Sequence, residues 1–500
     1  MRSTLLLGAM LVLGVSPVAL ASEEAVTRDE MKVLLERLEA AERTVSELRQ
    51  RLEERDRQED AEETFQERPE PLRPDPRWNQ RIDELVAKWS AEQADAPAAE
   101  PPQEKPRVEL IARTQIDWLG FPQSTRGVDF IDNPTTGNAP PDRWLFRRLW
   151  LGAKGQLTQT SRFAVEIDFA DPSHVLLRDA YLARDSLPVL STVIVGNQKR
   201  PLGLAALNSS RDEIFMERPT VVDAFNENLR RSGIVSYGVH DDERSTHALG
   251  VYLTDDIAGD GEYTGDFFTN WSLNSRLTRL LWYDEASHGR GYWHLGIANM
   301  AANNSQQAAG PPLNQARFFT WPELRTRQPW LDTGSIADVP GWDTLGGEFW
   351  LNLGSLTIMS EYLKTWVFRS SDRNLSFDGW YVLVAYLITG EHHPYDKQRA
   401  VLAPLEPYER FFLVRGEGGR PCFGQGAWEV AVRYSHVDLS DRGVLGGVED
   451  NVTLAANWYL NEHSRLQVNY VLGSIRDRAD VGGYTAGQFV GWGTRFSLDY

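Results

Sequence analysis

The groups in this chain best suited to chemistry are cations set among hydroxyls. In 196-GNQKRPLGLAALNSSRDEIFMERP-219, Lys199, Arg200, Arg211 and Arg218 stand among Ser209, Ser210 and apolar Leu202, Leu204, Ile214, Phe215 and Met216. Guanidinium and hydroxyl groups can replace an anion's hydration shell with charge-assisted hydrogen bonds. Arginine also matches phosphate through two parallel bonds, which lysine cannot do. The apolar members would pin such a stretch to a wall while the cations face a path. Elsewhere, Arg162 and Arg276 fall on the polar faces of alternating segments. Arg147 and Arg148 are adjacent, as are Arg230 and Arg231, so on a regular strand one of each pair points inward. A second cluster, His392, His393 and Asp396 in 390-GEHHPYDK-397, has metal-ligand residue types. No third or fourth ligand follows nearby, and a structured loop is the simpler reading. Glycine-rich phosphate loops, HExxH and GxSxG are absent, so no enzyme class and no cofactor is indicated.

These residues sit on segments of period two. The clearest is 162-RFAVEIDFA-170, with Phe163, Val165, Ile167 and Phe169 on one face and Arg162, Glu166 and Asp168 on the other. The same split recurs in 271-WSLNSRLTR-279 and 428-WEVAVRY-434, and 376-SFDGWYVLVAYLITGEHHPYDKQ-398 begins as a strand and ends as a loop. Seventeen candidate strands follow: 108–118, 143–157, 161–170, 175–184, 191–199, 228–238, 246–253, 270–283, 291–300, 313–321, 343–353, 355–367, 377–389, 426–438, 449–460, 464–473 and 487–500. A bacterial barrel has an even number, so sixteen are expected, with 191–199 and 313–321 the weakest.

Ahead of them the pattern differs. Residues 1–21 read as a secretory signal: Arg2, an apolar run from Leu5 to Val15, then Ala19-Leu20-Ala21. Within 22–57, Met31, Leu34, Leu38, Ala41, Val45, Leu48 and Leu52 form a short heptad seam, which predicts a coiled-coil helix with partner helices from identical chains. Residues 58–107 are a Pro/Glu-rich linker, in which 78-WNQRIDELVAKWSAEQ-93 has helical amphipathicity. The strands occupy 108–500.

Composition narrows the class. The balance of 52 basic to 71 acidic residues, net −19, argues against a nucleic-acid partner. Cys422 is the lone cysteine, so no intrachain disulfide forms. After residue 22 no run of about 18 apolar residues appears, which excludes a transmembrane helix and leaves a closed barrel as the way to span a bilayer. Seventeen tryptophans and sixteen tyrosines suit aromatic girdles at two membrane interfaces. Connections alternate between short (354, 461–463) and long (200–227, 390–425), as turns and outer loops do in such barrels. The last strand, 490-VGWGTRFSLDY-500, ends on an aromatic residue. The expected fold is therefore all-β: a transmembrane antiparallel β-barrel, preceded by a short coiled-coil helix.

The chain resembles the phosphate-selective porin O/P family from about residue 108 to its end. The resemblance rests on 145-LFRRLWLGAKGQL-157, 178-RDAYLAR-184, 196–219, the stretch from Phe318 to Leu324, 331-LDTGSI-336, 361-EYLKT-365, 379–396, 426-GAWEVAVRYSHVDL-439 and 456-ANWYLN-461, in that order. It implies a homotrimeric, sixteen-stranded outer-membrane channel for small anions such as phosphate. A long loop would fold into its lumen, and the N-terminal region would lie in the periplasm. Two features keep other functions open. Fifteen basic and 24 acidic residues precede position 107, which leaves 37 against 47 in the barrel region. That excess of acid suits a general or cation-preferring porin. The heptad seam suits a barrel-anchored tether.

Overall fold

The computed structural model describes residues 106–226, 228–255, 270–304, 314–415 and 421–500. The signal peptide, coiled-coil helix and linker expected before residue 106 lie outside the described residues.

Alternation of apolar and polar side chains builds one closed antiparallel barrel of sixteen strands, each paired with its sequence neighbours. The strands are β1 (Arg107–Ser124), β2 (Arg143–Thr158), β3 (Ser161–Asp168), β4 (Leu176–Leu187), β5 (Ser191–Lys199), β6 (Arg230–Val239), β7 (Ser245–Leu253) and β8 (Asn270–Tyr283). They continue with β9 (Gly291–Asn304), β10 (Gly341–Leu353), β11 (Leu356–Phe368), β12 (Leu375–Leu387), β13 (Ala427–Asp441), β14 (Val444–Tyr459), β15 (Ser464–Arg478) and β16 (Gly487–Asp499). β1 and β16 pair to close the cylinder. Sixteen of the seventeen expected segments are these strands, 191–199 among them. The exception is 313–321, which lies in the β9–β10 connection. There Phe319–Thr320 pairs with Leu331–Asp332 in a two-residue ribbon apart from the barrel.

The apolar face points outward. Leu182, Ile234, Leu277, Val432 and Leu454 are all exposed, while Arg276, Arg433, Thr453 and Asn457, on the strands of the last three, are buried inside. This is the inverse of a soluble sandwich and suits lipid. Aromatic residues band both ends of the outer surface. One rim holds both ends of the barrel chain, Arg107 and Tyr500, and is called here the terminal rim. Trp282, Trp293, Tyr386 and Trp428 ring it, and Trp118, Trp144, Phe146 and Phe368 lie towards the opposite rim.

Strand parity places the 388–426 connection on the terminal rim, beside the short turns at 354–355 and 460–463. The expectation that 390–425 leaves the barrel on the rim opposite the short turns is thus corrected. Length suggested it, but the direction in which β12 runs decides it.

The lumen is filled by three insertions. The 200–229 loop enters from the opposite rim. Leu202, Leu204, Ile214, Phe215 and Met216 are buried against wall residues such as Leu119, Leu363 and Leu383. Hydrophobic pinning is as expected from the sequence. The 305–340 connection enters from the same rim and adds Phe318, Leu324 and Trp330 to that core. From the terminal rim, 388–405 turns inward. His393 Nε2 meets Glu429 Oε1 at 2.5 Å, Tyr395 Oη meets His294 Nδ1 at 2.8 Å, and Leu402 N–H donates to Asn208 Oδ1 at 3.0 Å.

A wall carboxylate fixes where the 200–229 loop begins. Glu361 on β11 accepts the backbone N–H groups of Leu204 and Ala205, both at 2.7 Å, and the hydroxyl of Tyr381 at 2.7 Å. Gly203 has φ +90°, and a Cβ there would lie 2.6 Å from Glu361 Oε2. Only glycine adopts that backbone at little cost. Gly203→Ala is expected to cost about 1–3 kcal/mol of local stability. It should detach the loop's first turn from β11, readable as faster hydrogen exchange at Leu204 and Ala205 with the barrel intact.

Candidate permeation site

A cavity of about 1650 Å³ runs between the β1–β6 wall and the inserted segments. Its lining carries 12 basic and 8 acidic side chains, an excess of four cations inside a chain of net charge −19. Local placement, not net charge, therefore sets the field along this path.

The cations gather around one indole. Trp150 on β2 is buried, and the guanidinium carbons of Arg113, Arg178, Arg230 and Arg148 lie 4.7, 5.5, 5.4 and 5.9 Å from its ring centre. The ring's negative face offsets part of the repulsion between them. Three of the four also hold carboxylates. Arg178 bonds Asp168 at 2.7 Å, Arg230 forms a fork to Asp179 at 2.9 Å, and Arg113 pairs with Asp499. Arg148 instead donates to Gln115 Oε1 at 2.7 Å, and no carboxylate among the described residues lies within ion-pair distance. Lys199 likewise faces two backbone carbonyls, of Leu207 and Asn208, at 3.0 and 2.6 Å.

The sequence-nominated residues divide into two groups. Arg147, Arg148, Arg162, Lys199, Ser209, Ser210, Arg211, Arg218 and Arg230 line the cavity. Arg200, Arg231 and Arg276 are not among its lining residues. Arg200 turns towards Met300, 3.3 Å from its sulfur. Arg231 bonds the carbonyls of Thr254 and Asn228 at 2.8 and 2.9 Å and so ties strand ends together. Arg276 forms a fork to Glu348 at 2.8 and 2.7 Å and holds the Arg399 and Ala400 carbonyls, sealing the inserted 388–405 segment to the wall.

Arg147 and Arg148 both face the lumen because β2 is irregular there. Gln115 pairs with Arg148 and Ile116 with Phe146, so Arg147 is an extra residue in a β-bulge. Its guanidinium forms a fork to Glu217 of the loop at 2.8 and 2.9 Å. A second irregularity lies nearby, between β3 and β4. Val165 pairs with Ala180 and Ile167 with Leu177, which turns both Arg178 and Asp179 inward. Arg113, Arg178, Arg325, Arg399 and Trp150 also line the path but were missed. Two consecutive charged residues in an alternating strand, Arg147-Arg148 and Arg178-Asp179, were the available signal. Arg325 is stacked 3.5 Å over Trp321, and burial together with neighbouring Arg147 lowers its pKa to about 10.

His393, of the proposed metal cluster, is engaged by Glu429, and Asp396 accepts the N–H of Gln398 at 2.8 Å. Among the described residues no three His, Cys, Asp or Glu side chains are grouped to hold a metal.

The chain has relatives among known proteins. An uncharacterized protein of Caulobacter vibrioides is 28% identical over 400 residues, 75% of this chain and 74% of that one. Porin O of Pseudomonas aeruginosa is 26% identical over 149 residues, 28% of this chain and 30% of its own. The structure of an anion-selective porin from Comamonas acidovorans covers 79% of this chain and 100% of its own, with 11% identity and a TM-score of 0.46. The family model for phosphate-selective porin O and P matches residues 126–496. With that match over a closed sixteen-strand barrel, the chain belongs to the phosphate-selective porin O and P family and is an outer-membrane porin.

Proposed function

We propose that this porin passes small hydrophilic anions, phosphate among them, by diffusion along the cavity beside Trp150. The observation that carries this reading is the excess of four cations lining that cavity, with Arg148 and Lys199 bound to neutral oxygens. Either can exchange such a partner for a passing anion without breaking an ion pair. Arg147, Arg162, Arg178 and Arg230 already hold carboxylates, so they shape the field more than they grip the solute. The test is the reversal potential of the purified protein in a planar bilayer under a salt gradient, with chloride and then phosphate. The expected shift is towards the anion's equilibrium potential, with chloride current reduced by low phosphate. A shift towards the cation's potential would make the acidic barrel the source of the field. Absence of conductance would favour a tether.

Acid should strengthen the preference. Burial raises the pKa values of Asp212 and Asp223 in the 200–229 loop, against the opposing pull of Arg211 and Arg325 respectively. Both line the cavity, so they become neutral before ordinary carboxylates do, and the cation excess rises from four to six while every arginine stays charged. The anion-to-cation permeability ratio is expected to increase as pH falls from neutrality, before it reaches the ordinary carboxylate range. An unchanged ratio would place the two aspartates off the ion path.

The terminal rim faces the periplasm in this reading, and the protein is a homotrimer. Support for the trimer comes from the low wall β3 and β5–β7, whose strands have 8 to 10 residues against 13 to 16 in β8–β16. Its outer surface has a hollow lined by Leu157, Phe163, Val165, Leu182 and Val195 that a neighbouring barrel can fill.

A further inference from the structure

The 388–426 connection straddles the terminal rim. Its inner limb lies in the lumen as far as Leu405, which is buried with Leu387, Ala427 and Tyr459. The chain then crosses the rim. Phe411 N–H donates to the Leu460 carbonyl at 2.7 Å, and the Phe411 ring meets Trp458 edge to face with centroids 4.6 Å apart. Trp458 is on the outward face of β14 and stacks on Trp428 at 4.8 Å, inside the aromatic girdle. A short hairpin, Phe412–Arg415 with Pro421–Gly424, extends from this point. Phe411, Phe412 and Phe423 form one cluster, with centroids 5.7 to 6.2 Å apart, and Phe412 and Phe423 remain 56% and 66% exposed.

We infer that Phe411, Phe412 and Phe423 are an interfacial membrane anchor, seated at the headgroup–acyl boundary of the phospholipid leaflet next to the terminal rim. Two observations and one general preference select lipid as the occupant. The cluster is continuous with Trp458 and Trp428, which belong to the lipid-facing girdle. Aromatic side chains are enriched at that depth. Arg410, in an ion pair with Glu462 at 2.8 Å, adjoins the cluster at the surface and marks the polar side of that boundary. One strap thus lines the channel with one limb and rests on the membrane with the other. The inference depends on the barrel's membrane placement and not on anion preference, so cation selectivity in the bilayer would leave it standing.

The test uses the full chain in phosphatidylethanolamine–phosphatidylglycerol vesicles. In a Cys422→Ser background, nitroxide labels are attached at Phe412→Cys and, separately, Phe423→Cys. Leu454→Cys serves as the lipid reference and Asp480→Cys as the water reference. Power saturation should give both hairpin labels an oxygen-to-nickel accessibility ratio well above that at 480 and approaching that at 454. A ratio like that at 480 would put the hairpin in water, and exclusion of both relaxants would put it against protein; either overturns the inference. For the unsubstituted protein, a phospholipid with a headgroup-proximal diazirine should label the peptide containing residues 406–426 on illumination. No label there would likewise overturn it.

Discussion

Glu217→Ala is expected to give an intact barrel whose channel is wider and noisier than the parent's. Glu217 sits on the inserted loop between two wall arginines, in a fork with Arg147 at 2.8 and 2.9 Å and bonded to Arg495 Nη2 at 2.6 Å. Arg495 in turn forms a fork to Asp117, with both bonds at 2.7 Å. Removing the carboxylate strands Arg147 in a buried site. Breaking one side of a buried pair typically costs about 3–5 kcal/mol. The loop's other anchors, Glu361 and the packing of Phe215 and Met216, cannot replace that bond. Single-channel recording should show a larger mean conductance with flicker between levels, while heat-modifiable mobility on gels stays normal. Conductance like the parent's would mean the apolar packing alone fixes the loop. The charge network also predicts acid tolerance. Although burial opposes it, the arginines hold the Glu217 pKa well below the usual range. A depressed carboxylate contributes stability above its unfolded pKa, about 4.3, and loses it only as pH falls through the lower folded value. Loop docking should therefore persist below the pH at which an ordinary glutamate is protonated.

The second large effect is on selectivity. In Arg148→Glu/Lys199→Glu, each substitution removes one cation and adds one anion, so the lining becomes 10 basic and 10 acidic. Neither replaced group holds a carboxylate, so no ion pair is broken. The reversal potential in a salt gradient should move from the anion side to near zero, and phosphate should no longer reduce chloride current. Arg231→Glu is the contrast. Arg231 is buried away from the cavity on backbone carbonyls, and its replacement should harm folding yield without shifting selectivity in the protein that does fold. A retained anion preference in the double variant would move the site towards Arg325 and Arg399.

The outer surface of this barrel was largely readable from the sequence. Period two in segments such as 271–279 and 428–434 reports which face meets lipid, because lipid imposes an apolar residue at every second position. The lumen was less readable, because three insertions give it an apolar core of its own. Trp330 and Leu324 are buried there although no strand pattern contains them. The two bulges escaped for a related reason. A bulge is a relation between two strands, and the sequence of β2 alone does not show that Gln115 pairs with Arg148 while Ile116 pairs with Phe146. For the same reason the sequence places Arg276 on the inward face but does not show what it binds there. Its partner Glu348 lies 72 residues later, on β10.

The seam between β1 and β16 has a bearing on assembly order. Two ion pairs bridge it, Arg113 with Asp499 and Arg495 with Asp117, and a two-residue slip in register would break both. The seam joins the first barrel strand to the last, so those pairs form only when the whole wall is present. Glu217 draws one of its two arginines, Arg147, from β2 and the other, Arg495, from β16. The loop's full docking site therefore does not exist until the cylinder has closed in the correct register. The loop's charged seat is shared by the two ends of the barrel chain, and a cylinder closed out of register would leave Glu217 with one arginine in place of two.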